Sequence, residues 1–159
     1  MKNENKLPLD YQKAKDKALK LLEFRDHTKK EIREKLFRAG AENEVICEVL
    51  EFLSEYNLIN DEVYAKRYAN DLKNLKKFGK KRIERELINK GISKDTVFEV
   101  LSEMEETDEE ELSILINKRL KGNFDKKNCD KIMRYFIYRG YSPDEIKRCI
   151  DSLRTDFEY

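Results

Sequence analysis

The chain has 159 residues, 42% of them charged, with two prolines, five glycines and a formal charge of +1. That length allows one domain or several small units, and so much charge with so few turn formers points to an all-α build rather than a sheet. Cys47, Cys129 and Cys149 lie far apart and His27 is the lone histidine, so neither a disulfide framework nor a metal site is expected; no apolar run could span a membrane and the charged start has no signal-peptide core, which points to a reduced, cytoplasmic protein without a membrane partner.

In chain order, residues 1–10, with Leu7-Pro8-Leu9, read as a flexible tail. A helix is expected over Tyr11–Phe24, and a second opens at Thr28, with Glu31 placed for a capping box, and stops at Gly40. Glu42, a poor cap, precedes the third. The pattern then recurs: a helix over Asp61–Lys77, a second from Gly79 to Gly91, and a third opened by Ser93. It recurs once more, with a helix over Asp108–Lys121, a second opened at Asn128 and stopped at Gly140, and a third opened by Ser142-Pro143-Asp144-Glu145.

Alignment on Gly40, Gly91 and Gly140 makes the repeat explicit. Eight residues upstream stand Ile32, Ile83 and Ile132; four upstream stand Leu36, Leu87 and Phe136; three upstream stand Phe37, Ile88 and Ile137. Downstream come Ile46, Val97 and Ile146, then Val49, Val100 and Cys149, then Leu50, Leu101 and Ile150, then Leu53, Met104 and Leu153. Apolar residues recurring at one spacing in three copies predict an elongated array of three tandem three-helix repeats, over residues 11–58, 59–106 and 107–159.

Charge is segregated along this array. Residues 61–94 carry 11 bases and 5 acids, whereas residues 95–112 carry 9 acids and no base. Lys73, Lys76, Lys77, Lys80, Lys81, Arg82, Arg85 and Lys90 crowd the middle repeat, several of them at the start of a helix where the macrodipole favours acids. Cations at that end give up some stability, so an anionic partner, nucleic-acid phosphate or an acidic protein surface, is expected to face them; a solvated helix face is the alternative. The acids from Glu103 to Glu111 are expected at a helix junction, as consecutive acids do not converge on one helix face to hold a metal. Tyr64 and Tyr68, four residues apart beside Lys66 and Arg67, could stack on bases, but that spacing suits packing better. No nucleophile, phosphate-binding glycine loop or cofactor motif is present, so no catalytic residue is assigned and no enzyme is expected.

The stretch from Leu58 to Tyr68, followed by Gly79 to Ile92, resembles the core signature of the RecX family, regulators of the bacterial RecA recombinase, and Ala18 to Leu36 is similar to that family's first unit. Asn57 and Asn60 depart from the pattern at a turn, where asparagine tolerates the same geometry. The resemblance implies three tandem three-helix units and a non-enzymatic, mainly inhibitory modulator. Such a protein binds in the groove of the RecA–DNA filament, suppresses ATP hydrolysis and strand exchange, and serves homologous recombination, DNA repair and the SOS response. It also implies weak binding to DNA, single-stranded or non-specific, by a monomer. The eight bases above become candidate filament or DNA contacts. Asp61, Tyr64, Ala65, Tyr68, Gly79, Ile83, Leu87 and Gly91 match the signature and should mostly build the fold. The competing readings are a stand-alone helical DNA- or RNA-binding protein and an adaptor that binds protein alone.

Overall fold

The computed structural model describes residues 8–157. Among them the chain forms nine α-helices, with no strand beyond one isolated bridge between Leu9 and Ala41, and the all-α helical repeat is as expected. The helices are α1 (Tyr11–Phe24), α2 (Lys29–Arg38), α3 (Asn43–Glu55), α4 (Asp61–Asn74), α5 (Lys80–Asn89), α6 (Lys94–Glu103), α7 (Glu109–Leu120), α8 (Lys126–Tyr138) and α9 (Pro143–Phe157). Of the expected tail, residues 1–7 lie outside the described residues, and the Leu9 amide donates to the Gly40 carbonyl at 3.0 Å.

Local chemistry sets most of the helix starts. The Thr28 hydroxyl accepts from the Glu31 amide while the Glu31 carboxylate accepts from the Thr28 amide, a complete capping box. Ser142 and Glu145 repeat it at α9, Ser93 caps α6 by accepting from the Thr96 amide, and Glu42 makes no side-chain cap at α3. Two expected boundaries move. Helix α4 ends at Asn74 rather than Lys77, because Lys77 takes a left-handed φ of 55° that no helix continues through. Helix α8 starts at Lys126 rather than after Asn128: Asp125 is the cap, accepting from the Asn128 amide at 2.7 Å, and the Asn128 side chain instead donates to the Asn123 carbonyl at 2.7 Å. Alignment on the glycines fixes where these helices end, and hides that α8 has 13 residues where α2 and α5 have 10.

The described chain divides into two compact units, Met1–Arg67 with Leu87–Thr96, and Tyr68–Glu86 with Val97–Tyr159. In the first, Ala14 and Ala18 of α1, Ile32 and Leu36 of α2, and Ile46, Val49, Leu50 and Leu53 of α3 form a buried cluster. In the second, Leu112, Ile116 and Leu120 of α7 bury against Ile132 and Phe136 of α8 and Ile146, Cys149 and Ile150 of α9. Each of the larger of these side chains, valine, leucine, isoleucine and phenylalanine, contributes about 1.5–3 kcal/mol by leaving water. The two alanines of α1 stand where larger residues would hold the helices apart, so α1 can lie close to α3.

Candidate anion-binding surface

Within each unit the amide end of one second-position helix meets the carbonyl end of another. In the first unit the Thr28 hydroxyl donates to the Lys90 carbonyl at 2.8 Å, and the Lys30 ammonium donates to the Asn89 carbonyl at 3.2 Å. In the second unit the Gly79 amide donates to the Arg139 carbonyl at 2.9 Å and the Lys81 amide to the Gly140 carbonyl at 3.2 Å. Orphan carbonyls of one helix are thus satisfied by side-chain donors of α2 in the first unit and by backbone amides at the start of α5 in the second, which fixes helix against helix with no apolar contact required.

The signature residues lie at or near these joints. A Cβ added to Gly79 would lie 2.4 Å from the Gly140 backbone, so only glycine permits that approach. Gly91 takes φ +82° past the end of α5, and a side chain there would also meet Lys30 at 2.5 Å. Asp61 accepts from the Lys29 amide at 3.0 Å and so serves the first turn of α2. Ala65, Ile83 and Leu87 are buried, while Tyr64 and Tyr68 are half-buried on α4.

The basic residues occupy a different setting from the one the sequence suggests. Five of the eight lie in ion pairs within their own unit: Lys73 with Glu105 (3.8 Å), Lys77 with Glu111, Lys80 with Glu106 (3.1 Å), Arg82 with Glu86 (2.7 Å) and Lys90 with Glu31 (2.8 Å). The cations at the start of α5 also stand beside the carbonyl end of α8, where a helix dipole is negative. Arg85 approaches the Tyr138 carbonyl at 3.4 Å, and Arg82 lies over the Tyr138 ring at 4.9 Å. The chain itself therefore supplies much of the negative partner that the misplaced cations call for. Lys76 and Lys81 are exposed and have no carboxylate partner among the described residues. The acids Glu105, Glu106 and Glu111, near in sequence to the Asp108 cap of α7, are the partners that sequence reasoning missed, since 26 to 34 residues separate each from its lysine.

These pairs differ in how firmly they hold. The side chains of Glu105 and Glu106 are 94% and 91% exposed, and pairs in such positions stabilise by about 0–1 kcal/mol, so an incoming anion can take the lysine. Glu31 is another matter. Burial would raise its carboxyl, but hydrogen bonds from Lys90, the Thr28 amide and Arg25 outweigh this and bring it down to about 2. Burial, reinforced by the Glu111 carboxylate, pushes the Tyr141 phenol up to about 12, and its hydroxyl donates to the Lys77 carbonyl at 2.9 Å. His27 lies at the α1–α2 junction with Nδ1 2.8 Å from the Arg25 carbonyl, and burial draws its ring below the ordinary histidine range. Among the described residues no group of His, Cys, Asp and Glu could hold a metal ion, and no helix is long and apolar enough to cross a membrane.

The models of the first and second three-helix domains of RecX match residues 14–53 and 60–101. The chain belongs to the RecX family. It is similar to the regulatory protein RecX of Clostridioides difficile (strain 630), 40% identical over 153 residues that cover 94% of this chain and 72% of that protein. The regulatory protein RecX of Clostridium perfringens (strain 13 / Type A) is 35% identical over 156 residues, 94% of this chain and 72% of its own. The crystal structure of RecX from Lactobacillus salivarius superimposes with a TM-score of 0.77 at 27% identity, over 92% of this chain and 97% of that one. A further crystal structure of a regulatory protein RecX, 22% identical with a TM-score of 0.75, shares the fold. RecX proteins carry the name of regulators, not of enzymes, and the two matched domains cover α1 to α6 nearly whole.

Proposed function

We propose that this protein regulates the RecA recombinase by lodging in the groove of the RecA–DNA filament, where it suppresses ATP hydrolysis and strand exchange. The observation that carries this reading is family membership, with a relative named as a regulatory protein at 40% identity over nearly the whole chain. The role of the α4–α5 surface follows from its charge. Lys76, Lys81 and Arg85, which lack a carboxylate partner among the described residues, make the first contacts with filament carboxylates or DNA phosphates. Lys73, Lys77 and Lys80 then exchange Glu105, Glu111 and Glu106 for the filament's anions, at small cost because those pairs are solvated. The more enclosed Arg82 and Lys90 keep their internal partners and hold α5 in place. The protein acts as a cytoplasmic monomer, and its near-neutral total charge favours the filament over bare duplex as the main partner. Adding it to RecA on single-stranded DNA should lower the rate of ATP hydrolysis as the protein occupies the filament. An unchanged rate at saturating, directly measured filament occupancy would contradict the proposal.

A further inference from the structure

Each unit carries one charged patch that its own side chains leave unanswered. In the second unit a cleft of about 630 Å³ opens between the segment after α4 and helices α7 and α8. Its rim carries Lys76, Lys118, Arg119, Lys121, Lys131 and Arg139, and no aspartate or glutamate lines it. The two arginines are engaged within the unit: Arg119 donates to the Tyr135 hydroxyl at 2.6 Å, and Arg139 donates to the Lys76 carbonyl. The four lysines are exposed and have no carboxylate partner among the described residues. What the cleft offers a partner is therefore the point charge of flexible ammonium groups rather than a planar fork. The first unit carries the opposite patch. Glu44, Glu48, Glu51 and Glu55 fall four, three and four residues apart on α3, which sets them along one face, and all are exposed. Helix α3 contains no lysine or arginine, and these acids have no cationic partner among the described residues. Lys15 of α1 lies over the Phe52 ring at 4.0 Å and pairs with none of them. Like charges at such spacings, and acids in the last turn, both weaken a helix, so α3 gives up stability to keep this stripe.

We propose that a second copy of this chain docks at the cleft, laying the acid stripe of its α3 across the lysine rim, so that copies join head to tail. Charge complementarity carries the choice of occupant. The lysines Lys76, Lys118, Lys121 and Lys131 stand without a carboxylate, the acids Glu44, Glu48, Glu51 and Glu55 stand without a cation, and one contact between two copies answers both patches. An acidic segment of some other protein would fill the cleft and leave the stripe on α3 as it was. Reach is consistent with this docking. The stripe runs about 16 Å at 1.5 Å per residue, whereas packed helices such as α7 and α8 have axes about 8–10 Å apart. One stripe can therefore meet Lys118 and Lys121 at the end of α7 and Lys131 on α8. Two different surfaces meet, so the interface is heterologous and adds copies in series instead of closing a two-fold pair. Solvated pairs hold weakly, so the protein is a monomer when dilute and joins a neighbour where copies are crowded. The contact needs no recombinase and shares only Lys76 with the surface assigned to the filament.

The test is sedimentation velocity of the nuclease-treated full chain without RecA. At about 50 mM salt the sedimentation coefficient should rise with protein concentration, and at about 0.5 M salt, where screening is far shorter-ranged, it should stay at the value of one chain. Lys118→Glu/Lys131→Glu and Glu48→Lys/Glu51→Lys should each raise the concentration needed for association at least roughly tenfold, because each sets like charges face to face. Mixing these two variants should bring association back to within about threefold of the parent, since the reversed cleft of one then meets the reversed stripe of the other. Lys17→Glu/Lys20→Glu, the same charge change as in the cleft but on exposed positions of α1, should leave association within about twofold. Circular dichroism checks that every variant remains helical. A one-chain coefficient at all concentrations in low salt, association that persists in high salt, a mixture no better than either variant alone, or equal loss in the α1 variant would overturn the proposal. None of these outcomes bears on the suppression of RecA hydrolysis.

Discussion

The basic run on α4 and α5 and the basic rim of the α7–α8 cleft look alike as charge and differ as chemistry. In the run, five of eight cations already face carboxylates of their own unit, and the start of α5 rests on the carbonyl end of α8. In the cleft, no acid lines the wall. A dense cluster in sequence therefore turns out to be largely self-compensated, whereas Lys76, Lys118, Lys121 and Lys131, far apart in sequence, line one cleft between the segment after α4 and helices α7 and α8 with no carboxylate partner among the described residues. Counting charge along a chain finds the first and misses the second.

Several changes can break or sharpen that contrast. The largest effect is expected at the joint that holds α5 against α8: Gly79→Val drives a side chain into the Gly140 backbone and should cost about 3 kcal/mol, seen as a lower urea midpoint. If stability were unchanged, the head-to-tail contact would not be what sets the cations of α5 in place. Next comes Thr28→Ala, which removes a helix cap and strands the Lys90 carbonyl, for a loss of about 1–2 kcal/mol by the same measurement.

Acid should act through Glu31. Its carboxyl is held at about 2 in the fold against an ordinary 4.5, so the stability it contributes is fully present above 4.5 and drains away as pH falls toward 2. Glu31→Gln should be less stable than the parent at neutral pH and should lose that part of the acid dependence; parallel unfolding curves for the two proteins from neutral pH down to 3 would argue against the Lys90–Glu31 pair as a structural bond. The smallest effect concerns the solvated pairs. Glu105→Gln/Glu106→Gln should change stability by less than about 0.5 kcal/mol, yet raise affinity for RecA filaments a few-fold by releasing Lys73 and Lys80. A fall in affinity would mean that those acids themselves contact the filament.

How much of this the sequence reveals depends on the range of the interaction. Local signals read well: the span of α1, the Thr28–Glu31 box, the Ser142–Glu145 box and the left-handed Gly91 all follow from residues within a few positions of one another. The start of α8 does not, because two polar residues three apart compete for one cap and the aspartate wins. The apolar column Phe37, Ile88 and Ile137 matches the core columns in period, yet these side chains are 64%, 44% and 41% exposed. A helix stripe wider than the core it covers leaves its margin in water. The candidate surface was legible only as a list of cations. Apart from Arg82 and Glu86, four residues apart on α5, which of them keep a spare charge depends on carboxylates 26 to 59 residues away, and no spacing rule along one helix reports that.

The central claim is that cations left without an internal carboxylate partner make the first contacts with the filament. Its most direct test is co-sedimentation of the Lys81→Glu/Arg85→Glu variant with RecA filaments on single-stranded DNA, alongside the parent protein and with helix content checked for both. The account predicts a variant as helical as the parent that binds filaments at least roughly tenfold more weakly. Filament binding at parental strength by that folded variant would contradict it.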